Sequence, residues 1–212
     1  MQRDLAAMRR DYRQGTLTEE MAGVDPLTLF DQWIVAARDA GQIEANAMTL
    51  ATVDAMGHPH ARIVLLKEQV ARDFVFFTNY QSAKGQQLAA SPCAALVFWW
   101  DVLERQVRIE GPVRRIDPKD SDAYFASRPL SSRLGAWASE QSKPITDHAV
   151  LEMRYAEHAA HYGEAVPRPP HWGGYAVAAE QIEFWQGRSS RLHDRLQYAW
   201  DGHTWNRLRL AP

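Results

Sequence analysis

Residues 94–113, with the sequence AALVFWWDVLERQVRIEGPV, decide the fold class of this chain. The apolar run Ala94–Trp100 has the length of a buried strand, and a short polar turn separates it from Arg105–Val113. In the second segment Val107 and Ile109 alternate with charged and amide side chains, and a period of two predicts a strand with one buried face. Both segments are therefore predicted to be β-strands.

Strand-like segments lie on both sides of this pair. We predict three strands before it and four after it: Ala47–Val53, Ala61–Leu66, Phe74–Thr78, Gly174–Ala178, Gln181–Gln186, Leu192–Trp200 and Thr204–Leu208. Four helices are predicted, beginning near Pro26, Ser82 and Pro118 and following Pro144. Because only one short helix interrupts the five strands of the middle, we expect a mainly β, α+β fold with antiparallel strands. A barrel or a sandwich is favoured over a doubly wound sheet.

The composition limits the class of protein. The chain has 212 residues, with 24 Lys plus Arg against 26 Asp plus Glu, a net charge of −2. A net charge this close to zero gives no electrostatic basis for non-specific binding to nucleic acid. No apolar run approaches the ~20 residues that cross a bilayer, so no membrane association is expected. Because the N-terminus has no apolar signal core, we expect a cytoplasmic location.

The domain organisation is predicted to be simple. Residues 1–20 are polar and rich in arginine, and we predict a mobile segment or a short helix there. Residues 21–212 show no repeat and no break in composition, so a single domain is predicted. The lone cysteine, Cys93, excludes an internal disulfide and is predicted to be a small core residue. Glycine-rich nucleotide motifs and the metalloprotease motif are absent, and no metal site is predicted.

Cations within apolar segments are the first indication of a site. Arg62 and Lys67 bracket four aliphatic residues, and strand parity puts them on opposite faces unless a bulge intervenes. Lys84 lies near the start of a predicted helix, where free N–H groups favour an anion. A buried cation is costly without a partner. These residues therefore either reach water at the ends of their elements or converge on an anion such as phosphate.

A second basic group follows a predicted helix. Tyr124 and Arg128 are four residues apart and share one helical face, and Ser132 lies just beyond. Two hydroxyls and a guanidinium could hold a second phosphate. The alternative is an ordinary helix end with an arginine near its C-terminal dipole.

The strongest group lies near the C-terminus. In a strand, Arg191, His193 and Arg195 would share one face. Two cations beside an imidazole repel one another unless an anionic or aromatic partner is present, and Trp185 could supply an aromatic wall. Because a core needs no such arrangement, a binding site is favoured.

At these residues the sequence resembles the pyridoxine/pyridoxamine 5′-phosphate oxidases, and the match covers nearly the whole chain. The most specific motif is IEFWQ at residues 182–186, followed after four residues by RLHDR at 191–195. Further matching motifs are DPL at 25–27, RIVLLK at 62–67, LERQV at 103–107, SRP at 127–129, GAW at 135–137, QS at 141–142 and WGG at 172–174. Agreement at so many separated places is hard to obtain by chance.

The resemblance implies a fold, a cofactor and a reaction. It implies an FMN-binding split β-barrel that forms a homodimer, with FMN at the dimer interface. It also implies oxidation of pyridoxine 5′-phosphate and pyridoxamine 5′-phosphate to pyridoxal 5′-phosphate by hydride transfer to FMN. In such enzymes O₂ reoxidises the flavin and H₂O₂ is released.

The resemblance also implies site residues, matched position by position. The FMN-binding positions match Arg62, Ile63, Val64, Leu65, Leu66, Lys67, Phe77, Thr78, Lys84, Gln106, Gln141, Ser142, Trp185 and Arg195. The substrate-binding positions match Lys67, Tyr124, Arg128, Ser132, Arg191, His193 and, in the N-terminal segment, Arg9 and Tyr12. Arg191 and His193 match residues beside the substrate ring and are the predicted catalytic groups.

One departure from the family and two other functions complete the sequence-based expectations. Ala83 stands where many members have arginine, so one cation for the FMN phosphate is missing and looser FMN binding is expected. The first alternative is another split-barrel reductase, using FMN or a deazaflavin, which would lack the group Tyr124, Arg128 and Ser132. The second is a non-catalytic carrier of pyridoxal phosphate, which would need no flavin.

Overall fold

The structure is a computed structural model and describes residues 7–8 and 10–212. Six α-helices and ten strands lie in this described part of the chain. The helices are α1 (Glu19–Ala22), α2 (Pro26–Asp39), α3 (Ala83–Ala90), α4 (Pro118–Ser127), α5 (Leu130–Ala138) and α6 (Ala149–Tyr162). The strands are β1 (Ala47–Val53), β2 (Pro59–Leu65), β3 (Glu68–Val70), β4 (Asp73–Asn79), β5 (Cys93–Trp100), β6 (Arg105–Arg115), β7 (Trp172–Ala178), β8 (Gln181–Gln186), β9 (Asp194–Trp200) and β10 (Trp205–Arg209).

Every predicted strand is confirmed, with ends that shift by at most two residues. The short strand β3 and the helices α1 and α5 were not predicted. For α5 the reason is Pro129, which marks the end of α4 in the sequence. In the structure Pro129 is also the N-cap residue of α5, so a second helix begins directly after it at Leu130.

Local chemistry explains where the helices begin. The carboxylate of Asp25 caps α2 by accepting hydrogen bonds from the N–H groups of Leu27 at 3.0 Å and Thr28 at 3.3 Å. Ser82 caps α3 in the same way through the N–H of Gly85 at 3.3 Å. A Cβ atom at Gly85 would lie 2.2 Å from the carbonyl oxygen of Tyr80, so only glycine fits there.

The contacts within the chain divide it into two compact units. The first unit comprises the described residues up to Thr49, together with Leu96–Glu110 and Ala179–Pro212. The second unit comprises Leu50–Ala95 and Gly111–Ala178. The prediction of a single domain over residues 21–212 stays a prediction.

In the first unit, the first part of β6 pairs with β8, β8 with β9 and β9 with β10, all antiparallel. Helix α2 covers this sheet. Trp33 of α2 packs edge-on against Phe184 with ring centroids 5.2 Å apart, and Phe30 packs on Phe98 at 5.2 Å. These aromatic side chains are buried, and they form the core of the unit.

In the second unit, β4 pairs antiparallel with both β3 and β7, and β7 pairs with the end of β6. A separate apolar cluster joins the helices to this sheet, with Phe125 of α4, Leu134 of α5, Val166 and Trp172 at its centre. The helices α4 and α5 are therefore held against β7, and this placement brings polar side chains to one cavity.

Three further points concern the sequence-based expectations. The prediction that Cys93 is a core residue is wrong, because this first residue of β5 is exposed. In the N-terminal segment residues 10–18 contain no helix. None of the helices in the described ranges is long and apolar enough to cross a bilayer.

Candidate functional site

The second unit contains a cavity of about 700 Å³. The ends of β2 and β4, the start of α3, the end of α4 and one side of α5 provide its walls. It is lined by Ile63, Val64, Leu65, Lys67, Phe77, Thr78, Asn79, Lys84, Tyr124, Arg128, Pro129, Ser132, Gly135, Ala136, Ser139, Gln141 and Trp172. Eleven of the residues predicted to bind FMN or substrate therefore lie at one cavity.

Lys84 is the most buried cation of this cavity. Its Nζ lies 3.2 Å from Oε1 of Gln141 and 3.4 Å from Oγ of Ser82, and only 9 % of the residue is exposed. Burial lowers the pKa of Lys84, and the nearby positive charge of Arg62 lowers it further. Gln141 also accepts a hydrogen bond from Thr78 at 3.3 Å, so these three predicted FMN-binding residues form one polar group.

Arg62 is held in place by groups that carry no charge. It donates to the carbonyl oxygen of Leu50 at 3.1 Å, to Oγ1 of Thr52 at 2.6 Å and to Oε1 of Gln87 at 2.8 Å. Thr52 also donates to Gln87 at 2.6 Å, and both side chains are buried. Burial lowers the pKa of Arg62 as well. A cation fixed by neutral oxygens keeps its full charge for another partner.

The three residues predicted to clamp the substrate phosphate all line this cavity. The Tyr124 ring stacks on Phe77 with centroids 3.9 Å apart, and the Arg128 guanidinium lies 4.6 Å above the ring of Trp172. Nη1 of Arg128 is buried and has no hydrogen-bond partner among the described residues. Burial lowers the pKa of Arg128. Its unpartnered Nη1 leaves a hydrogen-bond donor free for an anion.

The fit to a phosphorylated cofactor follows from this donor set. No carboxylate in the described part of the chain forms an ion pair with Arg62, Lys67, Lys84 or Arg128. Cations held by neutral groups, with an orphaned guanidinium nitrogen beside aromatic rings, suit phosphates on planar ring compounds. The residues present therefore fit FMN and a phosphorylated aromatic substrate.

A second set of predicted residues lies in the first unit. Gln106 of β6, Trp185 of β8 and Arg195 of β9 are direct neighbours in register and form one row across three strands. Arg195 donates from Nε to Oε1 of Glu183 at 2.8 Å, and this hydrogen bond raises the pKa of Arg195. Glu183 therefore fixes the Arg195 side chain.

His193 lies beside this row. Its ring centroid is 4.5 Å from that of Trp185, and the ring of Tyr12 lies 5.8 Å away. Nδ1 of His193 accepts a hydrogen bond from the N–H of Arg188 at 3.1 Å, so the neutral ring carries its proton on Nε2. Burial, followed by the charge of Arg191, lowers the pKa of His193. A cavity of about 610 Å³ is lined by Tyr12, Arg191 and His193 together with Met8, Arg10, Asp11, Arg188 and Ser190.

Several sequence-based expectations are corrected here. The strand predicted from Leu192 begins only at Asp194, so alternation does not place Arg191 and His193 on the face of Arg195. Arg191 ends a short 3₁₀ turn, and its φ of 60° breaks the strand pattern. Likewise Arg128 follows the last residue of α4 in extended conformation, and it is not an i+4 partner within the helix.

Other predicted residues fall outside the two cavities or outside the description. Leu66 is buried and Ser142 is exposed, and neither lines the cavity of the second unit. Arg9 lies outside the described residues.

The sequence analysis did not identify the residues that fix the predicted site arginines by hydrogen bonds. Thr52 and Gln87 fix Arg62, and Glu183 fixes Arg195. Thr52 could have been found, because alternation in β1 places this polar residue on the same buried face as Met48 and Leu50. The cavity-lining part of α5 was missed because that helix was not predicted.

Two family descriptions match this chain. Pyridoxamine 5′-phosphate oxidase matches residues 36–162, and the C-terminal dimerisation region of pyridoxine 5′-phosphate oxidase matches residues 172–212. A pyridoxine/pyridoxamine 5′-phosphate oxidase of Thermosynechococcus vestitus is 60 % identical over 98 % of this chain and 99 % of its own length. The enzyme of that name from Ectopseudomonas mendocina is 57 % identical over the whole of both chains.

Solved structures agree on the fold. PhzG of Burkholderia lata, in complex with tetrahydrophenazine-1-carboxylic acid, superposes with a TM-score of 0.87 at 30 % identity, over 93 % of this chain and 98 % of its own. An FMN-binding protein related to pyridoxamine 5′-phosphate oxidase from Nostoc punctiforme has a TM-score of 0.72 at 17 % identity, over 90 % of this chain and 100 % of its own, and supports the fold alone. The predicted antiparallel split-barrel fold is confirmed.

Fold and site together define an FMN-dependent oxidoreductase of the split-barrel class. The identity over the full length is more specific. The chain belongs to the pyridoxine/pyridoxamine 5′-phosphate oxidase family. The match to the dimerisation region supports a homodimer.

Proposed function

We propose that this protein oxidises pyridoxine 5′-phosphate and pyridoxamine 5′-phosphate to pyridoxal 5′-phosphate, with O₂ as the final electron acceptor. The relatives that are 55–60 % identical over nearly the whole chain carry this activity in their names. The observation that carries the proposal is the buried Nη1 of Arg128, which has no hydrogen-bond partner in the described residues and lies at the cavity beside Tyr124 and Ser132.

The second unit binds the two phosphates in this proposal. Arg62 and Lys84 hold the phosphate of FMN, and Thr78 and Gln141 orient the Lys84 ammonium. Tyr124, Arg128 and Ser132 hold the phosphate of the substrate. This binding energy comes from a part of the substrate that does not react, and it holds the reacting carbon in place. FMN, when bound, supplies the acceptor for the hydride that leaves the substrate carbon.

Arg191 and His193, the residues proposed to act on the substrate ring, belong to the first unit. The Nε2–H of the neutral His193 ring can donate a hydrogen bond to a polar group of the substrate, since Nδ1 is occupied by the N–H of Arg188. Arg191, exposed at the same cavity, covers the ring and keeps the reacting carbon in position. We further propose that FMN lies at the dimer interface and that both subunits contribute to its site. The expected cytoplasmic location stays a prediction.

An anaerobic titration tests the proposed reaction. The purified protein is reconstituted with FMN, and its visible spectrum is recorded before and after addition of pyridoxine 5′-phosphate. Bleaching of the oxidised flavin band is expected, with recovery of the band and formation of H₂O₂ when air is admitted. Unphosphorylated pyridoxine is the matched control and should bleach the flavin far less at equal concentration. A flavin that stays oxidised while pyridoxine 5′-phosphate is bound would overturn the proposal and favour a split-barrel reductase of other specificity.

A further inference from the structure

A buried carboxylate in the first unit holds the N-terminal segment that precedes α1. Only 2 % of Glu104 is exposed. Its Oε2 accepts hydrogen bonds from the backbone N–H groups of Arg13 at 2.8 Å and Gln14 at 3.0 Å, and Nη2 of Arg10 lies 3.7 Å from Oε1. Residues 10–17, which we call the strap, thus supply all three of these contacts. A carboxylate buried at this depth is costly without such donors, so strap and carboxylate depend on each other.

The backbone of Glu104 is attached to the loop that leads to His193. Its carbonyl oxygen accepts the N–H of Gly187 at 2.8 Å and lies 3.3 Å from Nε2 of Gln186. Its φ of 54° and ψ of 42° are left-handed, which is unfavourable for glutamate. Such a conformation persists only where the surroundings hold it. Glu104 is therefore a fixed point between the strap and the strand end that carries the site residues.

The strap lies tightly on this part of the unit. The Tyr12 ring packs edge-on against Trp185 at 5.6 Å, and a Cβ atom at Gly187 would come within 2.8 Å of Cγ of Tyr12. At the other end of the strap, the N–H of Leu17 donates to Oδ2 of Asp194 at 3.0 Å. Arg10 and Tyr12 form one wall of the 610 Å³ cavity that also contains Arg191 and His193. Without the strap, this cavity has no such wall.

We propose that Glu104 is the latch of the strap and that it positions Tyr12 against His193 and Trp185 for substrate binding. The latch itself rests on the contacts above, whereas the effect on substrate binding rests on the proposed function. Glu104 touches neither cavity and is a positioning residue. Its loss should open the strap and weaken substrate binding, while the cations that bind the FMN phosphate stay as they are.

The test variant is Glu104→Asn. Asparagine tolerates the left-handed conformation, so the backbone is preserved, but its side chain is one carbon shorter and cannot reach both N–H groups of the strap. The matched control is Glu44→Asn, because Glu44 has nearly the same φ of 50° and is exposed. Gly187→Ala is a second variant, which keeps the Glu104 carboxylate but places a methyl group 2.8 Å from Cγ of Tyr12 and 3.1 Å from Cβ of Glu104, so Tyr12 must move.

Limited trypsin digestion measures strap opening without any reference to activity. We expect cleavage after Arg10 and Arg13 to be about tenfold or more faster in Glu104→Asn and in Gly187→Ala than in the unaltered protein. Cleavage in Glu44→Asn should match the unaltered protein. Equal rates in Glu104→Asn and Glu44→Asn would overturn the latch, and this result holds whether or not the protein oxidises pyridoxine 5′-phosphate.

Steady-state kinetics measure the positioning of Tyr12. In Glu104→Asn we expect the KM for pyridoxine 5′-phosphate to rise about tenfold and the Kd for FMN to change less than twofold. Glu104→Gln, which can still accept both N–H groups, should recover most of the loss. Fast cleavage together with an unchanged KM would overturn the positioning of Tyr12 by the latch. If the unaltered protein does not oxidise pyridoxine 5′-phosphate at all, the proposed function is wrong. The trypsin digestion still tests whether Glu104 holds the strap.

Discussion

The cations of the candidate sites in the two units have opposite kinds of partner. In the second unit, Lys84 and Arg128 at the cavity, and Arg62 close to Lys84, are bonded to neutral oxygens or, for Nη1 of Arg128, to nothing among the described residues. In the first unit Arg195 is paired with Glu183, and Arg188 with Asp194. A paired arginine is fixed in space but largely neutralised, whereas an unpaired one keeps its attraction for an anion. We therefore expect these second-unit cations to bind phosphate and the paired arginines of the first unit to hold side chains in place.

The largest expected effect comes from the orphaned guanidinium. Arg128→Met should lower kcat/KM for pyridoxine 5′-phosphate by roughly 10²–10⁴-fold, because two charge-assisted hydrogen bonds of about 1.5–3 kcal/mol each are lost. The free energy of unfolding of the FMN-free protein should stay equal or rise, since an unpaired buried charge is removed. Steady-state kinetics and denaturant unfolding measure the two quantities. Arg133→Met, on the neighbouring helix and away from the cavity lining, is the control and should change kcat/KM little.

A carboxylate placed beside Arg62 would give this second-unit cation the kind of charged partner that the first-unit arginines have. Gln87→Glu places a carboxylate where Oε1 now lies 2.8 Å from Arg62. We expect the Kd for FMN to rise at least tenfold, because Arg62 becomes paired in the manner of the first unit. Fluorescence titration of FMN measures this Kd. The control variant is Gln86→Glu, which adds the same charge at an exposed neighbouring position away from Arg62. An equal loss of FMN affinity in both variants would contradict the role of Arg62.

An added cation should sharpen the contrast. Ala83, the first residue of α3, is exposed beside the cation Lys84. Ala83→Arg should lower the Kd for FMN about tenfold through one additional charge-assisted hydrogen bond. Ala89→Arg adds an equal charge farther along the same helix and serves as the control. An FMN Kd that is the same in both variants would show that the missing cation at position 83 does not weaken FMN binding.

The smallest expected effect is a pH dependence of stability. Burial and then Arg62 lower the pKa of Lys84 below the ordinary value of 10.5, so the unfolded chain binds more protons between the two values. The contribution of Lys84 to stability therefore rises as pH increases through the lowered pKa towards 10.5. We expect FMN-free Lys84→Met to be more stable than the unaltered protein at pH 7, with a difference that shrinks as pH approaches 10.5. Urea unfolding at several pH values measures this difference, and a constant difference would contradict the assignment.

Much of the fold followed from local patterns. The alternation in Arg105–Val113 and the capping residues Asp25 and Asp117 act over a few residues, so their elements were predictable. The helix α5 was not, because Pro129 indicates a helix end but is here also the N-cap residue of the next helix. The packing of Leu134 with Phe125 and Trp172, which the sequence does not show, supports that helix. The strand predicted from Leu192 begins two residues too early, because the sequence does not indicate that Ser190 and Arg191 have left-handed backbone conformations.

The site divides in the same way. The sequence by itself indicated the candidate site residues, because charged and aromatic side chains such as Lys84, Arg128 and Trp185 are conspicuous beside apolar segments. Only the tertiary structure decided which of these cations stay unpaired. Pairing depends on contacts between residues that are separated in the chain, such as Glu183 with both Arg195 and Arg108. Charge is a property of the residue, whereas its neutralisation depends on distance, and distances are set by the fold.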